Sequence, residues 1–271
     1  MNKFIKIEII TISPEEGEVM IAELSENDFY AFEQNENVLF AYIKEEDFNE
    51  EKLRTLLPEN LDYKYSVIED RNWNKEWESQ LQPVTISDFV SIRASFHEPV
   101  KNVEHEIVIT PKMSFGTGHH ATTFLMVELM QKINFKNKIV LDFGTGTGIL
   151  AILAEKLGAA SVFAIDYDEW SINNALENIE ANQCKNIFLE KRNNIIGLPC
   201  VDIILANINL NVLAENAKNL SMLLQSQSLL IVSGFLSKDE EATISAFIEN
   251  GFVKKEMVQK ADWLALLFEK Q

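Results

Sequence analysis

Hydrophobic and polar positions alternate with two different rhythms along this chain, and the change of rhythm divides it. In the first seventy residues, Phe4-Ile5-Lys6-Ile7-Glu8-Ile9 and Tyr63-Lys64-Tyr65-Ser66-Val67-Ile68 alternate at a period of two, as half-buried strands do. Residues 29–33 and 38–43 flank Gln34-Asn35-Glu36-Asn37 and read as a hairpin. Ser13-Pro14-Glu15-Glu16 has the makeup of a helix start: a capping hydroxyl, a first-turn proline, and acids at the positive end of the dipole. Val19, Met20, Ala22 and Leu24 supply its buried side, and residues 49–57 form a second helix stopped before Pro58. The order β-α-β-β-α-β predicts a small ferredoxin-like α+β domain over residues 1–69.

Residues 70–82 read as a polar helix with Trp73 and Trp77 four apart on one face, a linker docked by its aromatics. Strand-like runs at 83–96 and 106–110 follow. Helical patterns at 122–132, 148–157, 169–181, 210–224 and 238–249 then alternate with strands at 139–143, 161–165, 186–190, 201–206 and 229–233. Gly251 caps the last helix, and 252–259 with 263–269 read as a closing strand pair. Strands separated by helices imply an α/β fold: a doubly wound, mostly parallel, seven-stranded Rossmann-like sheet over 83–271, with an antiparallel member at its edge.

The chemistry concentrates at Val140-Leu141-Asp142-Phe143-Gly144-Thr145-Gly146-Thr147-Gly148, a buried strand running through a glycine turn into a helix. Such glycines let a backbone approach a ligand, and the helix start offers unpaired N–H groups to it. Ligands of open α/β sheets bind at the carboxyl ends of the strands. Three readings compete: a nicotinamide or flavin dinucleotide, since Gly146-x-Gly148-x-x-Ala151 satisfies a loose GxGxxA pattern, S-adenosylmethionine, or a tight turn without a ligand. Asp142 beside the loop repels a pyrophosphate, at about 4 kcal/mol for like charges 4 Å apart, and suits a cationic donor. Asp166, ending the second strand, can hold both ribose hydroxyls of either cofactor. Together the two acids favour the sulfonium.

Asn207 emerges at the end of the fourth strand of the sheet, where its amide can order an amine nucleophile or the cofactor; a helix cap near Leu210 is the competing role, which Asn209 fills equally well. His119 and His120 are adjacent, so they point differently, and no third ligand at zinc spacing accompanies them; no metal is expected. The glycines at 116 and 118 suit a loop over the cofactor, with the Thr122 or Thr123 hydroxyl touching it.

Length and charge narrow the partners. The 271 residues, 46% hydrophobic and 24% charged, suit a globular protein with one large and one small domain. A net charge of −18 repels phosphate backbones and attracts a basic protein, so no stable nucleic-acid binding is expected. Cys184 and Cys200 lack metal or disulfide spacing, no run resembles a signal peptide, and none reaches the roughly 18 apolar residues of a membrane span. A cytoplasmic protein is expected.

Taken together, Trp73-Asn74-Lys75-Glu76-Trp77, Phe115-Gly116-Thr117-Gly118-His119-His120-Ala121-Thr122-Thr123, the Asp142–Gly148 loop and Ala206-Asn207-Ile208 resemble the bacterial S-adenosylmethionine-dependent methyltransferases of ribosomal protein L11. The resemblance covers essentially the whole chain; the glycine loop is shared by many methyltransferases, whereas the block around residues 115–123 is far more restrictive. It implies a leading domain that recognises the ribosomal protein, an aromatic linker helix, and trimethylation of lysine side chains and the terminal α-amine; a monomer is expected. Cofactor contacts would fall on Thr123, Gly144, Asp166 and Asn207, beside Asp142 and Gly146 from the loop itself, with Asn207 as the catalytic group. The other functions left open are a NAD-dependent oxidoreductase and a methyltransferase of another protein or of RNA. The leading domain is short for the family. Lys191-Arg192-Asn193-Asn194 stands where related enzymes place an acid near the adenine.

Overall fold

A computed structural model describes residues 3–10, 17, 20–21, 23–24, 27–29, 31–35, 38–58, 61–69, 82–110 and 120–271, and the chain divides into two compact units, 1–81 and 82–271. In the first unit, β1 (Lys3–Ile10), β2 (Ala31–Asn35), β3 (Val38–Lys44) and β4 (Tyr63–Glu69) form an antiparallel sheet of order β2-β3-β1-β4. Gly17, Met20, Ile21, Glu23 and Leu24 are helical, and α1 (Glu50–Leu56) is capped by Asn49, whose side chain accepts from the Lys52 amide at 3.0 Å. The period of two in β1 sends Ile5, Ile7 and Ile9 into the core against Leu24, Ala41 and Leu53, while Lys6 and Glu8 face away from it. This is the split βαβ order expected of the leading segment. The expected cap Ser13 and the tryptophan helix from 70 lie outside the described residues.

The second unit carries two sheets. The smaller, of order β5-β6-β7, joins β5 (Val84–Ile86), β6 (Val90–Ala94) and β7 (His105–Ile109). The strand-like run at 83–96 is therefore a hairpin of two short strands. Ser87, at φ 54°, turns the chain between β5 and β6, a conformation that the hydrophobic pattern does not reveal.

The larger sheet has seven strands in the order β10-β9-β8-β11-β12-β14-β13. These are β8 (Ile139–Phe143), β9 (Ser161–Asp166), β10 (Ile187–Lys191), β11 (Val201–Asn207), β12 (Leu224–Leu236), β13 (Phe252–Lys260) and β14 (Trp263–Lys270). The first five are parallel, as the alternation of strands and helices implied, whereas the antiparallel member expected at the edge, β14, lies one place in, antiparallel to both β12 and the edge strand β13. The helices are α2 (Ala121–Met130), α3 (Ile149–Lys156), α4 (Glu169–Ala181), α5 (Leu210–Leu223) and α6 (Glu240–Ile248). α5 passes into β12 without a loop, so that strand begins earlier than the expected residue 229.

Helices on both faces explain why the central strands are apolar throughout. Along β11, Ile203 and Leu205 enter one core with Val140, Leu125 and Ile152, while Ile204 and Ala206 enter the other with Leu141, Leu213 and Phe247. The second core closes on three rings, Phe247 lying 5.0 Å from Phe268 and 5.6 Å from Phe252 between centroids. Phe268 is fully buried, whereas Phe188 on β10 is 58% exposed. Truncating Phe268 to alanine should therefore destabilise the chain by about 3–5 kcal/mol in urea unfolding, and Phe188→Ala by about 1 kcal/mol or less. Equal losses would contradict this placement of the core.

Candidate active site

The carboxyl ends of β8, β9 and β11 open onto one cavity of about 750 Å³. Gly144, Gly146, Asp166 and Asn207, all singled out in the sequence, line it. Gly144, at φ 76°, lies against Ile208, and a Cβ there would overlap that side chain. On the other side Gly234, at φ 99°, sits where the β12–β14 register shifts, and a Cβ there would overlap the Ile208 carbonyl. Two glycines thus clasp the residue that follows Asn207 and fix how the chain leaves β11.

The loop between β8 and α3 is held by backbone and carboxylate together. The Gly144 and Thr145 amides donate to the Ile165 carbonyl at 2.9 and 3.0 Å. The Gly146 amide donates to Asp166 Oδ2 at 2.9 Å, and the Asp168 amide donates to Asp166 Oδ1 at 3.0 Å. Asp166 is only 8% exposed, yet it lines the cavity. Each of its oxygens keeps accepting capacity for a ribose hydroxyl.

Asp142 is placed differently from the expectation of a carboxylate rimming the crevice. It is fully buried beneath the loop, and it is not a lining residue. Its Oδ2 accepts from the Thr145 hydroxyl at 2.6 Å and from the Ala151 amide at 3.1 Å, while Oδ1 has no partner. The unpaired amides of the first turn of α3 draw the carboxylate inward. Burial pushes its pKa up to about 7, with the Asp166 charge adding and the two hydrogen bonds opposing. Discrimination against pyrophosphate therefore does not come from Asp142 facing the ligand.

Thr123 is buried with its hydroxyl unpartnered, and Thr122, one step round α2, takes the place on the cavity wall. Asn209 caps α5, its Oδ1 accepting from the Val212 amide at 3.1 Å, so the capping role belongs to Asn209. Asn207 Oδ1 is buried without a partner in the cavity wall. The sequence reading passed over Trp263, at the start of β14, which lines the cavity with His120; their ring centroids are 4.6 Å apart, edge to face. The Thr122 amide donates to His120 Nδ1 at 3.3 Å, and the Thr122 hydroxyl lies 2.8 Å from the same nitrogen. No local signal marks Trp263, because only the strand order brings β14 beside β12. Arg192 and Asn193 line the cavity after β10; the Arg192 guanidinium is tied to the Ile196 carbonyl at 2.6 Å and to Glu190 at 3.2 Å. His119 and the glycines at 116 and 118 lie outside the described residues.

A seven-stranded sheet of this order, a glycine loop after β8, an acid ending β9 and an amide ending β11 define an S-adenosylmethionine-dependent methyltransferase of Rossmann-like fold. The sequence matches the profile of the family described as ribosomal protein L11 methyltransferase (PrmA) over residues 6–271, and the chain belongs to that family. It is 36% identical over 261 residues to the ribosomal protein L11 methyltransferase of Bacteroides fragilis, covering 93% of each chain. It is 37% identical over 260 residues to that of Porphyromonas gingivalis, covering 93% of this chain and 90% of the relative. The crystal structure of a ribosomal protein L11 methylase from Lactobacillus delbrueckii subsp. bulgaricus matches with a TM-score of 0.66 at 30% identity, over 70% of this chain and 100% of that one. The methyl donor is S-adenosylmethionine, and the dinucleotide reading falls away.

The burial of Asp142 has a measurable sign. A folded-state pKa of about 7, above the ordinary 3.8, means that the folded chain holds an extra proton between those values. Stability from this group is full below about pH 4 and is lost as pH rises through 7. The unfolding free energy of the wild type, relative to that of Asp142→Asn, should fall by about 4 kcal/mol between pH 4 and 8. A constant difference would mean the carboxylate is ionised throughout.

Proposed function

We propose that this chain methylates amino groups of ribosomal protein L11, lysine side chains and the terminal amine, up to three times per nitrogen. The observation that carries the reading is Asn207 Oδ1, a buried acceptor without a protein partner in the cavity wall, between the glycine loop and the His120–Trp263 pair. The cavity fits the donor: Asp166 suits the ribose diol, the backbone of Gly144 and Gly146 allows close approach, and Arg192 with Asn193 lie at the end after β10. Bound there, S-adenosylmethionine supplies a methyl group already activated by its sulfonium.

What remains for the protein is alignment and desolvation. An amine attacks only as the neutral base, at a cost near 4.6 kcal/mol for a free lysine at pH 7 and about 1 kcal/mol for an α-amine. Asn207 accepts a hydrogen bond from the amine without carrying a charge that would hold it as ammonium. Trp263 excludes water on the acceptor side, and its π-face accommodates each methylated product, which has fewer N–H groups to satisfy.

The leading unit serves as the docking surface. The first 69 residues hold 17 acids against 6 bases, so most of the net charge of −18 lies there, complementary to a basic ribosomal protein. The same charge disfavours stable binding to RNA. A ribosomal substrate fits an enzyme of the cytoplasm.

Asn207→Ala should keep its fold and melting temperature while methyl incorporation into L11, followed by mass spectrometry, falls roughly a hundredfold. Near-wild-type methylation by a folded variant would remove the assignment.

A further inference from the structure

Asn174 and Asn178 lie on one face of α4, and Asn182, its C-cap residue, continues the same four-residue spacing. Four residues of helix rise about 6 Å, and two residues of strand span about 6.6 Å. Side-chain amides at that pitch therefore meet alternate backbone groups of a strand. The match is used along the outer edge of β7, which pairs with β6 on its other side. Asn182 Oδ1 accepts from the Val108 amide at 3.0 Å, and its Nδ2 donates to the Val108 carbonyl at 2.6 Å. Asn178 Oδ1 accepts from the Thr110 amide at 2.7 Å, and Asn174 Nδ2 donates to the Thr110 carbonyl at 3.0 Å. A helix face here takes the place of a missing strand and satisfies an edge that would otherwise be open.

Asn178 does one thing more. Its Nδ2 donates to the Thr147 carbonyl at 2.8 Å, inside the glycine loop between Gly146 and Gly148. The side chain is fully buried, and it is not among the residues lining the cavity. An amide offers a donor nitrogen and an acceptor oxygen on two separate atoms of one uncharged side-chain end, so Asn178 can serve the Thr110 amide and the Thr147 carbonyl together. On the reading that S-adenosylmethionine occupies the cavity, we infer that Asn178 is a positioning residue for the donor. It ties the glycine loop to the end of β7 and so sets where Gly146 stands. Asp142 holds the loop from below and Asp166 from the side; Asn178 holds the carbonyl that neither carboxylate can bond.

A matched pair of variants separates this role from plain support of the fold. Asn178→Asp and Asn182→Asp each keep the acceptor and lose the N–H donor, but only the first releases the loop. Calorimetric titration of S-adenosylhomocysteine into each full-length chain, below its melting temperature, reads the difference. Asn178→Asp should bind roughly tenfold more weakly than wild type and raise KM for S-adenosylmethionine by a similar factor, with kcat at saturating donor within about twofold. Asn182→Asp should stay within about twofold in both, even with a lowered melting temperature. Should Asn178→Asp fail to fold, Asn178→Ser, too short to reach Thr147, is expected to show the same weakening. Wild-type affinity in the Asn178 variant, or equal weakening in both, would overturn the inference. A wild-type chain that takes up no S-adenosylhomocysteine would instead overturn the assignment of the cavity.

Discussion

The site depends on a loop whose amides and carbonyls must face inward to fixed partners while its outer surface stays clear for a ligand. Residues 144–148 have no long side chains, and the Gly148 amide donating to the Thr145 carbonyl at 2.8 Å closes one turn without fixing the loop on the sheet. Carboxylates at the ends of two adjacent parallel strands do so instead: Asp142 takes the Thr145 hydroxyl and the Ala151 amide, and Asp166 takes the Gly146 amide. Parallel strands end on the same side of a sheet, which is why two acids 24 positions apart in the chain can serve one loop. The two are not equivalent. Burial leaves Asp142 a structural carboxyl with a raised pKa, whereas Asp166 braces the loop and also lines the cavity.

The second constraint is the clasp on Ile208. Gly144 and Gly234 leave no room for a Cβ on either side of it, and the Ile208 amide donates to the Ser233 carbonyl at 3.2 Å. The exit of β11 is thereby fixed at the point where the chain delivers Asn207. Fixing the backbone so tightly makes an unpartnered buried acceptor tolerable, because the surrounding structure bears its desolvation. The antiparallel strand β14 then brings Trp263 to the same opening, where it joins His120, Phe143 and Tyr167 as an aromatic part of the lining.

Much of this was legible in the residues, and the failures have physical causes. The alternation of apolar runs gave seven strands and their helices to within a few residues, because both faces of the large sheet are covered and its central strands are almost wholly apolar. Asp166 and Asn207 could be placed because a strand end in a parallel sheet is a position with a known direction. Asp142 was read correctly as a strand end but wrongly as a rim group; nothing in the linear order tells whether a carboxylate turns toward a ligand or under its own loop. Thr123 and Thr122 differ by one step of a helix, too fine for pattern alone. Trp263 and the asparagine ladder on α4 were illegible for a different reason. Each depends on which elements lie side by side, and Asn182 meets Val108 across 74 residues of chain. The hairpin at Ser87 rests on one backbone angle, invisible to hydrophobic periodicity.

The claim at the centre is that Asp166 holds the glycine loop and the methyl donor at once. The direct measurement is calorimetric binding of S-adenosylhomocysteine to the wild type and to Asp166→Ala, with pyridine dinucleotide titrated in parallel. Saturable one-to-one uptake by the wild type, weakened roughly a hundredfold in a variant that still folds, with no heat from the dinucleotide, is the expected result. Undiminished binding in the folded variant, or preference for the dinucleotide, would contradict the account.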